Sequence, residues 1–406
     1  MNRKSLGWTI VGLSCLALAV VSGCGRKPLL FDVRVAPEHI TPNADGDTDI
    51  TEIRYGLARS AELSIYLIGS DGTPHYFRER EPRAPRKDYR VYFGGVIDDR
   101  MLPDGAYTWV VEAIAPGGER MEQRGQLVLS QADTAFPQIN EFTVHPLTFT
   151  PNRDGLSDRV RMNLYVTKDV ESLQVYLEGK DGVRYPVEEE PGLRKPNEAG
   201  FHTYDYDAGV DLGAEPPPDG TYTVYAIAQD RVGQRDVATQ TLTISGGGVP
   251  KAEVLQATVE WSSSSIMLGQ TLCFTLTVDN YGPVPIRTSG PAPGTSYRSD
   301  QNYNAFGYGE ESGAWRVGID FDTSLRNYPY RWAVGEPDQL EIVEQDGETY
   351  TYLPAGARGR VYGCIRVLRV PPRNPLYFWA GLIHEDVEIS AVNNRVDPEF
   401  VTIDAP

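Results

Sequence analysis

The chain has 406 residues, with 38 basic and 56 acidic side chains and a formal net charge of −18. That field disfavours nucleic acid and anionic lipid as partners and suits solubility outside the cell. With 40 glycines, 30 prolines and 23 tyrosines, and almost no apolar spacing at helical period, the composition points away from a helical protein and toward short strands joined by tight turns.

The first predicted element is a targeting segment. Asn2-Arg3-Lys4 supplies positive charge, and Ser5 to Val21 is almost continuously apolar but short for a membrane span. Val21-Ser-Gly-Cys24 resembles a bacterial lipobox, in which small residues fit the lipoprotein signal peptidase and the cysteine thiol takes the lipid. The resemblance implies a signal peptide over 1–23, lipidation at Cys24 and a tether over 24–30. The mature chain would be exported and held to the lipid bilayer of the cell membrane or outer membrane, facing outside the cytoplasm. Each buried acyl CH₂ contributes about 0.8 kcal/mol to that hold. An ordinary secretory peptide and a membrane anchor are the alternatives.

Two signatures then recur in the same order. Thr41-Pro-Asn-Ala-Asp-Gly-Asp-Thr-Asp49 returns as Thr150-Pro-Asn-Arg-Asp-Gly-Leu-Ser-Asp158, and Leu102-Pro-Asp-Gly-Ala-Tyr-Thr108 returns as Pro217-Pro-Asp-Gly-Thr-Tyr-Thr223. The period is about 100 residues, the size of one β-sandwich and far above solenoid repeats. Alternating runs such as Phe31-Asp-Val-Arg-Val35, Leu63-Ser-Ile-Tyr-Leu-Ile68 and Tyr107-Thr-Trp-Val-Val-Glu-Ala113 predict six or seven strands in the first copy. The fold class is therefore all-β, as tandem immunoglobulin-like antiparallel β-sandwiches, the first over 31–130 and the second over 137–245. In Pro-Asp-Gly-x-Tyr, Asp-Gly makes a tight turn and the tyrosine packs as it enters the next strand.

The Thr-Pro-Asn-x-Asp-Gly-x-x-Asp loop clusters oxygen donors around a glycine, which is how calcium loops are built. Asn43, Asp45, Asp47, Asp49 and Glu52 are the candidate calcium ligands of the first copy, and Asn152, Asp154 and Asp158 those of the second. The second copy is poorer, because Arg161 stands where Glu52 stands in the first. An Asx-stabilised turn without metal explains the same residues. Together with Pro-Asp-Gly-x-Tyr-Thr, and with Ala226-Ile-Ala-Gln-Asp230 before Gly233, the loop resembles immunoglobulin-like domains of the flagellar-hook-cap type and the C-terminal modules of gliding-motility-associated proteins. That resemblance spans Phe31 to Ile244 and implies a sandwich with an extracellular structural or sorting role.

Ser245-Gly-Gly-Gly-Val-Pro250 reads as a flexible linker, set at 246–251. A different strand-rich domain follows over 252–406. Val278-Asp-Asn-Tyr-Gly282, Leu353-Pro-Ala-Gly356 and Val392-Asn-Asn394 resemble the signatures of CARDB-type modules, a bacterial adhesion-related sandwich. Cys273 and Cys364 lie on strand-like runs. In an exported chain they are expected to pair as a disulfide, with two buried free thiols as the alternative.

An aromatic-rich insertion over 287–332 interrupts this domain. Tyr303, Tyr308, Trp315, Tyr330 and Trp332, set among Asn, Asp and Glu, are candidate ligand-binding residues, because flat rings beside amides and carboxylates suit sugars. The alternative is a loop whose aromatics form their own core. Glu310, Glu311, Asp320 and Asp322 could supply paired carboxylates for a glycan-active enzyme, but none is marked out, and no nucleophile, zinc or phosphate-loop motif is present. The expected function is a surface-anchored, non-catalytic binding, adhesion or envelope-assembly lipoprotein whose partner is an envelope protein or a glycan. A carbohydrate-binding lipoprotein of a polysaccharide or transport system is the alternative, and a glycan-active enzyme the second.

Overall fold

The computed structural model describes residues 27–192 and 195–405. The signal peptide, Cys24 and the start of the tether lie outside the described residues. The chain forms two compact units, one ending at Thr134 and one beginning at Ala135.

The first unit is a sandwich whose core comes from inward-facing alternate residues. Thr51–Leu57 turns Ile53, Tyr55 and Leu57 inward, and Gly105–Ile114 does the same with Tyr107, Trp109, Val111 and Ala113. One sheet has three strands in the order Leu30–Ala36, Thr51–Leu57, Arg86–Phe93. The other has five, in the order His39–Ile40, Arg120–Leu129, Gly105–Ile114, Ala61–Ile68, Pro74–Arg83.

The second unit opens with the same plan. A three-stranded sheet of Ile139–His145, Val160–Val166 and Gly200–Tyr206 faces a five-stranded one ordered Thr148–Phe149, Arg235–Ile244, Gly220–Gln229, Ser172–Glu178, Arg184–Val187. The repeated signatures do repeated jobs. Tyr107 donates its hydroxyl to the Pro103 carbonyl at 2.8 Å, and Tyr222 donates to Pro218 at 2.6 Å. Asp104 accepts from the Gln131 and Ala132 amides, and Asp219 from those of Gly246 and Gly247, so each acid fastens the chain leaving its sandwich.

The third sandwich has a five-stranded and an eight-stranded sheet around one core. Thr271–Asn280 and Arg358–Arg366 pair antiparallel with Cys273 opposite Cys364, and the expected disulfide is formed. Asn280 explains two of its motifs at once. It donates to the Val284, Leu353 and Pro354 carbonyls and accepts from Gly282, clamping the Asn-x-Gly turn to Leu353-Pro-Ala-Gly356.

The glycine-rich segment differs from its expected flexibility. Gly248 donates to the Pro151 carbonyl at 3.0 Å, Val249 is buried in the core of the second sandwich, and a Cβ at Gly248 would run into Val284. Its glycines permit close packing between the second and third sandwiches. Freedom of motion is not what they supply.

Candidate functional site

The insertion is woven into the third sandwich. Ile286–Thr288, Ser296–Arg298, Trp315–Phe321 and Tyr330–Ala333 are strands of its two sheets. This decides the fate of the candidate aromatics. Trp332 is fully buried between the sheets, edge-on to Phe274 and Tyr297, with its indole N–H on the Thr295 carbonyl at 3.0 Å. Trp315 is buried and stacked on His384, with ring centroids 4.3 Å apart. Tyr303 is buried over the Arg331 guanidinium and donates to Glu310 at 2.9 Å. Tyr330 is buried, and Tyr308 is half-buried. The expectation of a displayed aromatic surface is thus corrected for four of the five. Rings of this size bury 150–250 Å² each, and here that area closes a core.

Buried charges hold the insertion in place. Glu385 sits between two guanidiniums, 2.7 Å from Arg331 and 3.2 Å from Arg316. Arg316 also donates to the Ser289 and Gly309 carbonyls at 2.6 Å, and Arg331 to those of Tyr328 and Asn327. Glu311 pairs with Arg287 and Arg316, Glu310 with Arg331, and Asp322 with Arg373. Asp320 accepts from the Phe321 amide, and burial pushes its carboxyl up. The acids weighed for glycan chemistry therefore serve as partners of arginines and amides.

Several concavities lie on the described surface, and one of them has an aromatic floor. At one end of the third sandwich a groove of about 390 Å³ has a floor of Phe321, Tyr330, Phe378, Ile365 and Leu376 and a rim of Ser299, Asp300, Thr323 and Arg369. The Arg298 guanidinium beside Asp300 holds that carboxyl below the usual carboxylate range. The volume is within the range of small-ligand sites. Of its aromatic lining only Tyr330 was singled out by sequence. Phe321 and Phe378 belong to strands paired with each other, and nothing local marks their rings as groove walls.

The Thr-Pro-Asn loops fold alike. In the first, Asp49 accepts from the Asn43, Ala44 and Gly46 amides, Asn43 from Asp45, and Asp45 from Asp47. Glu52 turns to Arg54 at 2.7 Å. In the second, Asp158 accepts from Asn152 and Gly155, Asn152 from Asp154, and Asp154 from Leu156. Among the described residues no group of three His, Cys, Asp or Glu side chains converges as a metal site. The Asn43, Asp49, Asn152 and Asp158 side-chain oxygens accept from the loop's own N–H groups, as in an Asx-stabilised turn.

The second loop instead carries the third sandwich. Arg287 donates to the Asp154 carbonyl at 2.6 Å, Tyr352 to the Asp154 carboxylate at 2.8 Å, and His384 to the Arg153 carbonyl at 2.7 Å. Gly155 and Gly313 meet so closely that a Cβ on either would collide with the other segment's backbone. Burial, then the charge of Asp154, pushes Asp158 up to about 6, burial raises Asp154, and burial brings His384 down to about 4. A raised carboxyl favours the folded state as pH falls toward its unfolded value, whereas a depressed histidine loses stability as pH falls below about 6.5. The two effects oppose each other between about pH 4 and 6. Asp158→Asn is therefore expected to steepen the acid loss of stability by up to about 1.4 kcal/mol per pH unit. Urea titrations at a series of pH values measure that slope, and an unchanged slope would count against the assignment.

No family model and no curated protein sequence matches this chain. Among solved structures it is similar to a Ca²⁺-stabilized adhesin that helps an Antarctic bacterium reach out and bind ice, at 15% identity over 93% of this chain and 74% of that one, with a TM-score of 0.24. It is similar also to a tetra-tandem repeat in the extending region of a large adhesion protein, at 14% identity over 92% of this chain and 74% of that one, TM-score 0.22. A third similarity is to the Bacteroides ovatus mixed-linkage glucan utilization locus protein SGBP-B in complex with a heptasaccharide, at 10% identity over 92% of this chain and 71% of that one, TM-score 0.17. In each case the overlap is loose.

Proposed function

We propose that this chain is an exported, non-catalytic binding lipoprotein of a bacterial envelope, tethered through Cys24, with the end groove of its third sandwich as the contact site for an envelope protein. The groove carries the reading: an aromatic-floored concavity with a polar and charged rim is a form in which an interface accepts one buried anchor side chain. The carboxylates of the insertion being committed to arginines supports a role without catalysis. Thr323→Trp, which fills the groove from its rim, is expected to weaken saturable binding of the purified protein to envelope fractions about tenfold. Equal binding by variant and wild type would sink the groove as the contact. Cys24→Ala is expected to move the protein from the membrane fraction to the soluble one.

One observation favours the glycan alternative. Phe400, 51% exposed, stacks on Tyr377 with centroids 4.3 Å apart on the outer face of the larger sheet, and exposed flat rings suit sugars. Glycan-array binding lost in Phe400→Ala but kept in Thr323→Trp would select this reading over the protein contact.

A further inference from the structure

The duplication places one loop in two situations. In the second sandwich it is a socket. The parts that grip the third sandwich are the carbonyls of Arg153 and Asp154, the carboxylate of Asp154, and the bare backbone of Gly155 beneath Ser312. Most of this chemistry is backbone, so it depends on loop conformation more than on side-chain identity.

The first loop holds the same conformation. Thr41 Oγ1 donates to the Asp47 carbonyl as Thr150 Oγ1 does to Leu156. Ala44 and Arg153 share a positive φ, 62° and 58°, and Gly46 and Gly155 sit at 92° and 84°. The carbonyls of Ala44 and Asp45, the Asp45 carboxylate and Gly46 therefore stand where the gripping groups of the second loop stand. Ala44, Asp45, Gly46 and Asp47 are exposed, and a Cβ at Gly46 would meet nothing within 4 Å. Besides the conservative Thr48 for Ser157, two differences tune the first loop. Ala44 lacks the cation with which Arg153 reaches Asp211 and Glu388, and Asp47 puts a carboxylate in place of Leu156. Both make the surface more acidic, which strengthens its match to a guanidinium.

We propose that Thr41–Asp49 is a docking socket for a β-domain of another protein, one that presents an arginine guanidinium and a tyrosine hydroxyl beside a small-residue turn, as Arg287, Tyr352 and Ser312-Gly313 do in this chain. The occupied second copy is the observation that points to a partner. The proposal is independent of the groove.

The whole chain supplies the test. Grafting the first loop's residues into the second, as Arg153→Ala with Leu156→Asp, is expected to leave the joint closed. Amide exchange over 245–251 and 311–315 then stays within about threefold of wild type, whereas Gly155→Trp accelerates it by about tenfold or more. A grafted joint that opens like Gly155→Trp overturns the proposal. In trans, the Gly155→Trp chain has a vacated seat on its third sandwich. Mixed with wild-type chain at about 100 µM, it is expected to form a complex in sedimentation velocity, lost when the wild-type partner carries Gly46→Trp. Chains that sediment separately, or a complex indifferent to Gly46→Trp, overturn it. If Gly155→Trp loses its near-UV circular dichroism, Asp154→Arg, set against Arg287, vacates the seat in its place.

Discussion

Trp332→Ala is expected to destabilise the third sandwich by about 3–5 kcal/mol. The indole is 0% exposed and lies between the two sheets against Phe274, 4.8 Å away, and Tyr297, 4.9 Å away. Gly363 on the facing strand leaves the space it occupies, since a Cβ there would collide with the ring. Truncation opens a cavity that strands on both sides cannot easily close, and it removes the shorter of two hydrogen bonds to the Thr295 carbonyl, which keeps the Cys364 amide at 3.4 Å. Trp332→Phe keeps much of the volume, so its smaller loss reports the missing hydrogen bond, about 0.5–1.5 kcal/mol, together with the lost second ring. Equilibrium urea unfolding monitored by near-UV circular dichroism reads both. A loss below about 1 kcal/mol for the alanine would place this ring at the surface and restore it as a ligand contact. For the same reason, binding lost in Trp332→Ala is no evidence for a ligand contact, because the fold itself is weakened.

Glu385→Ala is expected to cost about 3–5 kcal/mol, with consequences beyond stability. Glu385, Arg316 and Arg331 are all buried, and without the carboxylate two guanidiniums remain facing each other away from water. Arg316 holds the Gly309 carbonyl and Arg331 packs on the Tyr303 ring, so the segment between the strands ending at Arg298 and beginning at Trp315 is expected to loosen. Limited proteolysis should then cut between Asp300 and Gly313, where the wild type resists. Replacing all three with apolar residues of similar volume is expected to recover part of the stability, because the desolvation cost goes with the charges while the Ser289, Gly309, Asn327 and Tyr328 carbonyls lose these donors. A triple variant as unstable as Glu385→Ala would show that the network contributes more than charge balance.

Much of the architecture was legible because it rests on local rules. Period-two alternation marks strands whose faces differ in burial, and the doubled Thr-Pro-Asn and Pro-Asp-Gly signatures mark turns whose geometry depends on the glycine and the acid beside it. The Cys273–Cys364 pairing was legible from compartment and strand character. The site was not legible in the same way. Trp315, Tyr330 and Trp332 look alike in sequence to exposed rings, and only the strands around them put them in the core. Asp49 and Asp158 look like cation ligands until the loop's amides are seen to surround them.

The sequence by itself determined a duplicated all-β chain and the internal form of its repeated loops, because strand period and turn chemistry act over a few residues. That one loop is a socket, that the glycine-rich segment is a tight joint, and that the aromatic insertion is mostly core are set by the folded chain. Each of those depends on surfaces that meet from distant parts of the chain, as His384 meets Arg153, Gly248 meets Pro151 and Trp332 meets Phe274. Burial and long-range pairing are set by that meeting, and no local pattern encodes it.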